Sequence, residues 1–266
     1  MSKWTEATCI ANGIHLHYLR TGGSKPPLIL LHGLMTSGPC WTGLARSLEN
    51  EYDVIMPDAR GHGQSDTPAL GYSYFDHADD VMGLGRVLNL SSYILLGHSM
   101  GGMTAAVVAS RKPAPLRSLI LADPPFLDPG IQIEVWESEV REQHRKLLDM
   151  PIGEVIADAK ARHPGRSQET IELLSRARHQ TSLAAFEVLR PPAPDYEELI
   201  REIRVPSLLV LGERGVVSEK MARDLQLINS NLQTTLIPNT GHSLHLDQPE
   251  AFASLVNFFL KTIQKN

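Results

Sequence analysis

The stretch Gly97-His98-Ser99-Met100-Gly101 constrains this chain more than any other. It closes the apolar run Tyr93–Ser99 and opens a helical pattern over Met100–Lys112. A serine between a buried strand and a helix must take a sharp, strained turn, which lifts its hydroxyl clear of the sheet. Gly97 and Gly101 carry no side chains to collide with the neighbouring backbone, and Gly102 and Ala105 let the helix approach closely. A glycine-rich turn around a purely structural serine would use the same letters. The strand before it and the helix after it favour a nucleophile at Ser99.

The surrounding texture predicts a parallel sheet. Short continuous apolar runs recur at Pro27–Gly33, Asp53–Asp58, Arg117–Asp123, Pro206–Glu213 and Gln233–Asn239. Such runs suit strands buried on both faces. Helical patterns lie between them at Gly38–Leu48 and Asp76–Leu90, and an amphipathic helix through Phe252, Val256, Phe259 and Leu260 ends the chain. His15–Leu19 alternates and reads as an antiparallel edge strand. From Ile131 to about Ala184 the chain is charged, strand-free and helix-like. An insert of that size, roughly half a small domain, has little core of its own and must lean on the sheet, as a lid does. The expected division is a core over 1–125, a helical lid or cap over 126–200, and the rest of the core over 201–266.

A serine hydroxyl needs an adjacent base. His242 follows a strand and a glycine on the loop before the last helix, where it could reach the top of the sheet; His245 reads as a packing or capping residue. Backbone N–H groups of Met100 and Leu34, each just past a buried strand, are the candidate oxyanion donors.

Four segments together, "HGLM" (His32–Met35), "PDARGHGQS" (Pro57–Ser65), "LLGHSMGG" (Leu95–Gly102) and "NTGHSLHLDQPEAF" (Asn239–Phe252), resemble the α/β-hydrolase superfamily over nearly the whole chain. The resemblance implies an α/β fold with a mostly parallel eight-stranded sheet, helices on both faces and a helical lid insertion. Most members carry their acid after the seventh strand, in a pattern like G-x-x-D. Here that stretch is Gly212-Glu213-Arg214-Gly215, so the usual carboxylate is missing. Asp123 stands at the end of the preceding strand, 123 − 99 = 24 residues past Ser99. Zearalenone lactonases resemble this arrangement, with a Glu at the corresponding strand end. Either strand end could supply a carboxylate to the histidine Nδ1–H, because adjacent parallel strands finish side by side. Asp123 is the preferred acid and Glu213 the alternative; a weak site with no acid is the third reading. Asp58, Arg60, His62 and Asp66 read as scaffold, and His98 is expected to point into the fold.

The functional reading is a serine hydrolase that cleaves a hydrophobic carboxylic ester or lactone through an acyl-enzyme intermediate. Leu34, Met35, Phe126, Trp136, Met150 and Phe186 are candidate pocket residues, with Met103 near the catalytic turns; an apolar pocket without an arginine clamp is expected. A carbon–carbon bond hydrolase of ring-cleavage products, a cofactor-free haloperoxidase and a hydrolase-like small-ligand receptor remain alternatives. No cofactor is implied, and no metal site, since His32, His62 and His98 have no ligand-like spacing. A net charge of −5 without a basic run argues against nucleic acid. Two cysteines in no metal-like spacing, the lack of a leader-like start and the lack of a long apolar run favour a cytoplasmic, membrane-free protein, monomeric or homodimeric.

Overall fold

A computed structural model describes residues 4–263. The strands are β1 (Thr5–Ala11), β2 (Ile14–Arg20), β3 (Pro27–Leu31), β4 (Asp53–Pro57), β5 (Tyr93–His98), β6 (Leu116–Ala122), β7 (Ser207–Arg214) and β8 (Leu232–Gly241). They form one sheet in the order β1-β2-β4-β3-β5-β6-β7-β8. Strands β3 to β8 run parallel, and β2 pairs antiparallel with both β1 and β4. The edge position expected for His15–Leu19 therefore belongs to β1. That strand alternates exposed and half-buried residues with little apolar content, so it left no strong pattern in the sequence.

Helices cover both faces. The first core helices are α1 (Thr42–Leu48), α2 (Tyr74–Val87) and α3 (Met100–Ser110). Between β6 and β7 come α4 (Pro129–Glu137), α5 (Val140–Leu148), α6 (Ile152–Arg162), α7 (Gln168–His179) and α8 (Tyr196–Glu202). The last three are α9 (Glu219–Ile228), α10 (Leu244–Asp247) and α11 (Pro249–Ile263). A capping box starts α2: Asp76 N–H donates to Ser73 Oγ at 3.3 Å, and Ser73 N–H to Asp76 Oδ2 at 2.9 Å.

Successive strand residues point to opposite faces, so each buried strand feeds two cores. Ile29, Leu95 and Leu119 pack with α2, α3, α8 and α9 on one face. Leu28, Leu30, Leu96, Ile120 and Val210 pack with Trp41, α1 and α11 on the other. Full burial of such a side chain stabilises by about 1.5–3 kcal/mol, which is why the strands read as unbroken apolar runs. Within the insertion, Leu199 and Ile200 of α8 join the core beneath α3, whereas α4 buries no residue and α5 and α6 bury one each. No helix of the described residues is long and apolar enough to cross a membrane.

Candidate active site

The site lies at the carboxyl edge of the parallel strands, where open α/β sheets bind ligands. Ser99 sits between β5 and α3 at φ 50° and ψ −122°, a conformation L-residues rarely adopt. Its N–H donates to Ala122 O at 3.1 Å. The flanking glycines are required by space. A Cβ on Gly97 would stand 2.1 Å from Gly101 O, and one on Gly101 2.4 Å from Leu31 O. Among the described residues, besides Asn residues and Lys112, the non-glycine residues at positive φ are Met35, Ser99 and Asp123. Strain of this kind, about 1–3 kcal/mol per residue, persists where the surroundings over-determine it.

His242 follows β8. Its Nε2 lies 2.8 Å from Ser99 Oγ, and its Nδ1 lies 2.6 Å from Asp123 Oδ2. A carboxylate can only accept, so the Nδ1–H donates to Asp123 and the bare Nε2 faces the serine hydroxyl. Asp123, fully buried at the end of β6, also accepts Val216 N–H on Oδ2 and Val217 N–H on Oδ1, both at 2.9 Å. The loop after β7 thus donates to Asp123 and supplies no carboxylate to His242. Gly215 is the reason this is possible: a Cβ there would sit 2.6 Å from Asp123 Oδ1. Glu213 does not reach the histidine. It is largely exposed, and its Oε2 accepts Asn239 N–H at 2.9 Å.

The turn after β3 runs beside the serine. Thr36 N–H donates to Gly33 O at 3.2 Å, and Met35 N–H to His62 Nε2 at 3.4 Å. These bonds leave the intervening Leu34 N–H out. Met100 N–H, the first of α3, has no carbonyl of its own helix to bond. A cavity of about 320 Å³ opens over Ser99 and His242, with Leu34 and Met35 in its wall. Phe126, Trp136 and Phe186, expected in this pocket, are elsewhere. Phe126 is buried in the core, stacked on Tyr196 with centroids 5.1 Å apart. Phe186 packs on His144 at 4.8 Å, and Trp136 lies under the Arg190 guanidinium at 4.7 Å. Met150 lines an adjoining cavity of about 270 Å³, and Met103 is buried in the core. The expected apolar lining is also corrected: Arg162, Arg166 and Arg178 of the insertion line the cavity. Charged residues on an exposed-looking helix read as a solvated face, which hid them in the sequence.

The match to the model of the α/β hydrolase fold family spans residues 26–197. The chain belongs to the α/β-hydrolase family. It is 30% identical to N-formylmaleamate deformylase of Pseudomonas putida, covering 94% of each chain. It is 27% identical to 2-(acetamidomethylene)succinate hydrolase of Mesorhizobium japonicum, covering 91% of this chain and 90% of that one. A crystal structure of E-2-(acetamidomethylene)succinate hydrolase superposes with a TM-score of 0.85 at 25% identity, over 97% of this chain and all 100% of the other.

Neutral histidines brace this carboxyl edge of the α/β hydrolase. His98 Nε2–H donates to the carbonyl of His242 at 2.8 Å, and its ring packs 4.4 Å from that of His245. His62 Nδ1–H donates to Arg60 O at 2.9 Å, which leaves Nε2 to accept Met35 N–H. His32 does the same between Gly33 O at 2.8 Å and Ala59 N–H at 2.9 Å. Burial holds His32 and His98 below the ordinary histidine range and takes His62 and His245 down to about 3. They therefore stay uncharged acceptors and spacers. Among the described residues, no group of three His, Cys, Asp or Glu side chains could hold a metal ion.

Proposed function

We propose that this α/β hydrolase is a serine hydrolase that cleaves an activated acyl carbonyl through an acyl-enzyme intermediate. Ser99 Oγ attacks the carbonyl carbon while His242 Nε2 takes its proton. The negative oxygen that forms is held by the N–H groups of Met100 and Leu34. His242 then gives the proton to the leaving group and activates water for deacylation. Asp123 keeps the imidazole in the Nδ1–H form and stabilises the imidazolium. Helices α6 and α7 and the loop between them cover the cavity as a lid.

The observation that carries this reading is the continuous relay Asp123–His242–Ser99, at 2.6 and 2.8 Å, ending on a strained serine. The relatives support acyl chemistry wider than esters and lactones, because their names carry N-formyl and acetamido groups. Carboxylic esters and lactones remain within the same mechanism. A p-nitrophenyl ester separates an enzyme from a receptor: repeated turnover is expected, whereas a single slow release per chain would contradict the proposal.

A further inference from the structure

The cavity over Ser99 carries more positive charge than the relay needs. Arg162 ends α6, Arg166 follows on the next loop, and Arg178 lies in the last turn of α7. Arg166 is engaged: its Nη2 lies 3.4 Å from Asp247 Oδ1, and Asp247 Oδ2 also accepts Gly241 N–H at 2.9 Å. Among the described residues, the Arg162 guanidinium bonds only the carbonyl of Asp158, in its own helix, at 3.4 Å. The Arg178 guanidinium has no hydrogen-bond or ion-pair partner among the described residues. Its half-buried guanidinium is nevertheless partly withdrawn from water. Burial, then Arg162 and Arg166, push its pKa down from the ordinary arginine range. A cation that is partly desolvated beside other cations is costly unless an anion joins it.

A second observation points the same way. Ser175 is 1% exposed, lines the same cavity, and its Oγ has no hydrogen-bond partner among the described residues. It stands 178 − 175 = 3 residues before Arg178, on the same face of α7. A hydroxyl and a guanidinium one turn apart form a donor pair for a planar carboxylate. The acids nearby do not fill that role: Asp247 is committed to Arg166 and Gly241, and Asp158, which shares the adjoining cavity with Arg162 and Arg178, makes no ion pair with either among the described residues. Arg162 and Arg178 form part of the wall common to both cavities, while Ser175 lines only the one over Ser99, so an anion held between Ser175 and Arg178 lies within the space facing Ser99.

We infer that the substrate of this site carries a carboxylate, and that Arg178 and Ser175, with Arg162 beside them, receive it while Ser99 faces its acyl carbon. The inference rests on the acyl-transfer reading of Ser99 and adds the charge of the substrate to it. Arg178 and Ser175 are then specificity-determining groups.

The test compares mono-p-nitrophenyl succinate with p-nitrophenyl pentanoate, an uncharged ester of similar length. A charge-assisted contact at the far end favours the succinate ester by about tenfold or more in kcat/KM. In Arg178→Met that ratio falls by about tenfold or more, and in Ser175→Ala it falls by a smaller factor. A general loss of structure lowers both rates and leaves the ratio alone, so the ratio isolates the carboxylate contact. Independently of turnover, succinate should slow fluorophosphonate labelling of Ser99 in the wild type and should fail to do so in Arg178→Met. Equal rates for the two esters, with no protection by succinate, would overturn the inference and leave acyl transfer standing. Absence of any label on Ser99 would instead remove the reading on which it rests.

Discussion

Asp123→Asn is the perturbation that the site geometry makes most informative. The carboxylate accepts from three donors: His242 Nδ1 at 2.6 Å and Val216 N at 2.9 Å on Oδ2, and Val217 N at 2.9 Å on Oδ1. An amide has one accepting end, so Asn must turn its NH₂ toward one side. If the NH₂ replaces Oδ2, it faces Val216 N–H and drives His242 into the other tautomer, whose Nε2–H can no longer take the serine proton. If it replaces Oδ1, the tautomer survives, but Val217 N–H loses its acceptor and the imidazolium loses its counter-charge. Either way one buried donor goes unsatisfied, at about 1–3 kcal/mol. The wrong-tautomer case in a serine hydrolase of another fold costs about 10⁴-fold in kcat, or about 5.4 kcal/mol at 1.36 kcal/mol per decade. The expected outcome is a kcat loss between about 10² and 10⁴ with KM little changed, read by stopped-flow release of p-nitrophenol and checked against the melting curve. Glu213→Gln, whose side chain meets Asn239 N–H and, loosely at 3.8 Å, the Arg214 guanidinium, should stay within about threefold. A kcat for Asp123→Asn within tenfold of wild type, or a larger loss for Glu213→Gln, would refute the assignment.

Gly215→Ala should cost about 10²-fold in kcat, because its Cβ would lie 2.6 Å from Asp123 Oδ1 and relieving that overlap shifts the carboxylate by on the order of 1 Å, a misplacement that has such an effect; Gly130→Ala, with nothing within 4 Å, is the control that should leave kcat as it is. Stability should fall as pH drops from about 6.5 toward 3. His32, His62, His77, His98 and His245 have depressed folded pKa values, to about 3 for His62 and His245, against an ordinary value of 6.5. The unfolded chain therefore binds more protons in that window, and each such group removes up to about 1.4 kcal/mol per pH unit. His17, raised by its hydrogen bond to Asp58, acts in the opposite sense and is outnumbered. A Tm that is flat or rises between pH 7 and 5 would contradict this. Replacement of Arg178 by Met should shift selectivity from the carboxylated ester toward the uncharged one, measured as the ratio of their kcat/KM values.

The strands that position the site were legible because both of their faces are covered, which forces the apolar runs 28–31 of β3, 93–96 of β5, 119–122 of β6 and 208–211 of β7. The serine turn was legible because its glycines answer to backbone contacts shorter than any side chain permits. Strand β1 was not, since only Ala11 of it is buried. The preference for Asp123 over Glu213 could not be strengthened from spacing, because neighbouring strands end together; the geometry that supports it is the His242 contact and the N–H groups of Val216 and Val217, which any residue type supplies. The pocket was misread for a similar reason. Phe126 and Phe186 are as apolar as substrate contacts and pack in the interior instead, while Arg162 and Arg178 sit in helices whose charge looks solvated until α6 and α7 are folded over Ser99.

Mass spectrometry of the chain treated with a fluorophosphonate tests most directly whether Ser99 is the nucleophile. A single adduct on the peptide containing Ser99, absent from Ser99→Ala and strongly slowed in a His242→Ala chain that still melts cooperatively, is the expected result. A folded wild-type chain that stays unlabelled, or an adduct on another residue, would contradict the acyl-enzyme mechanism.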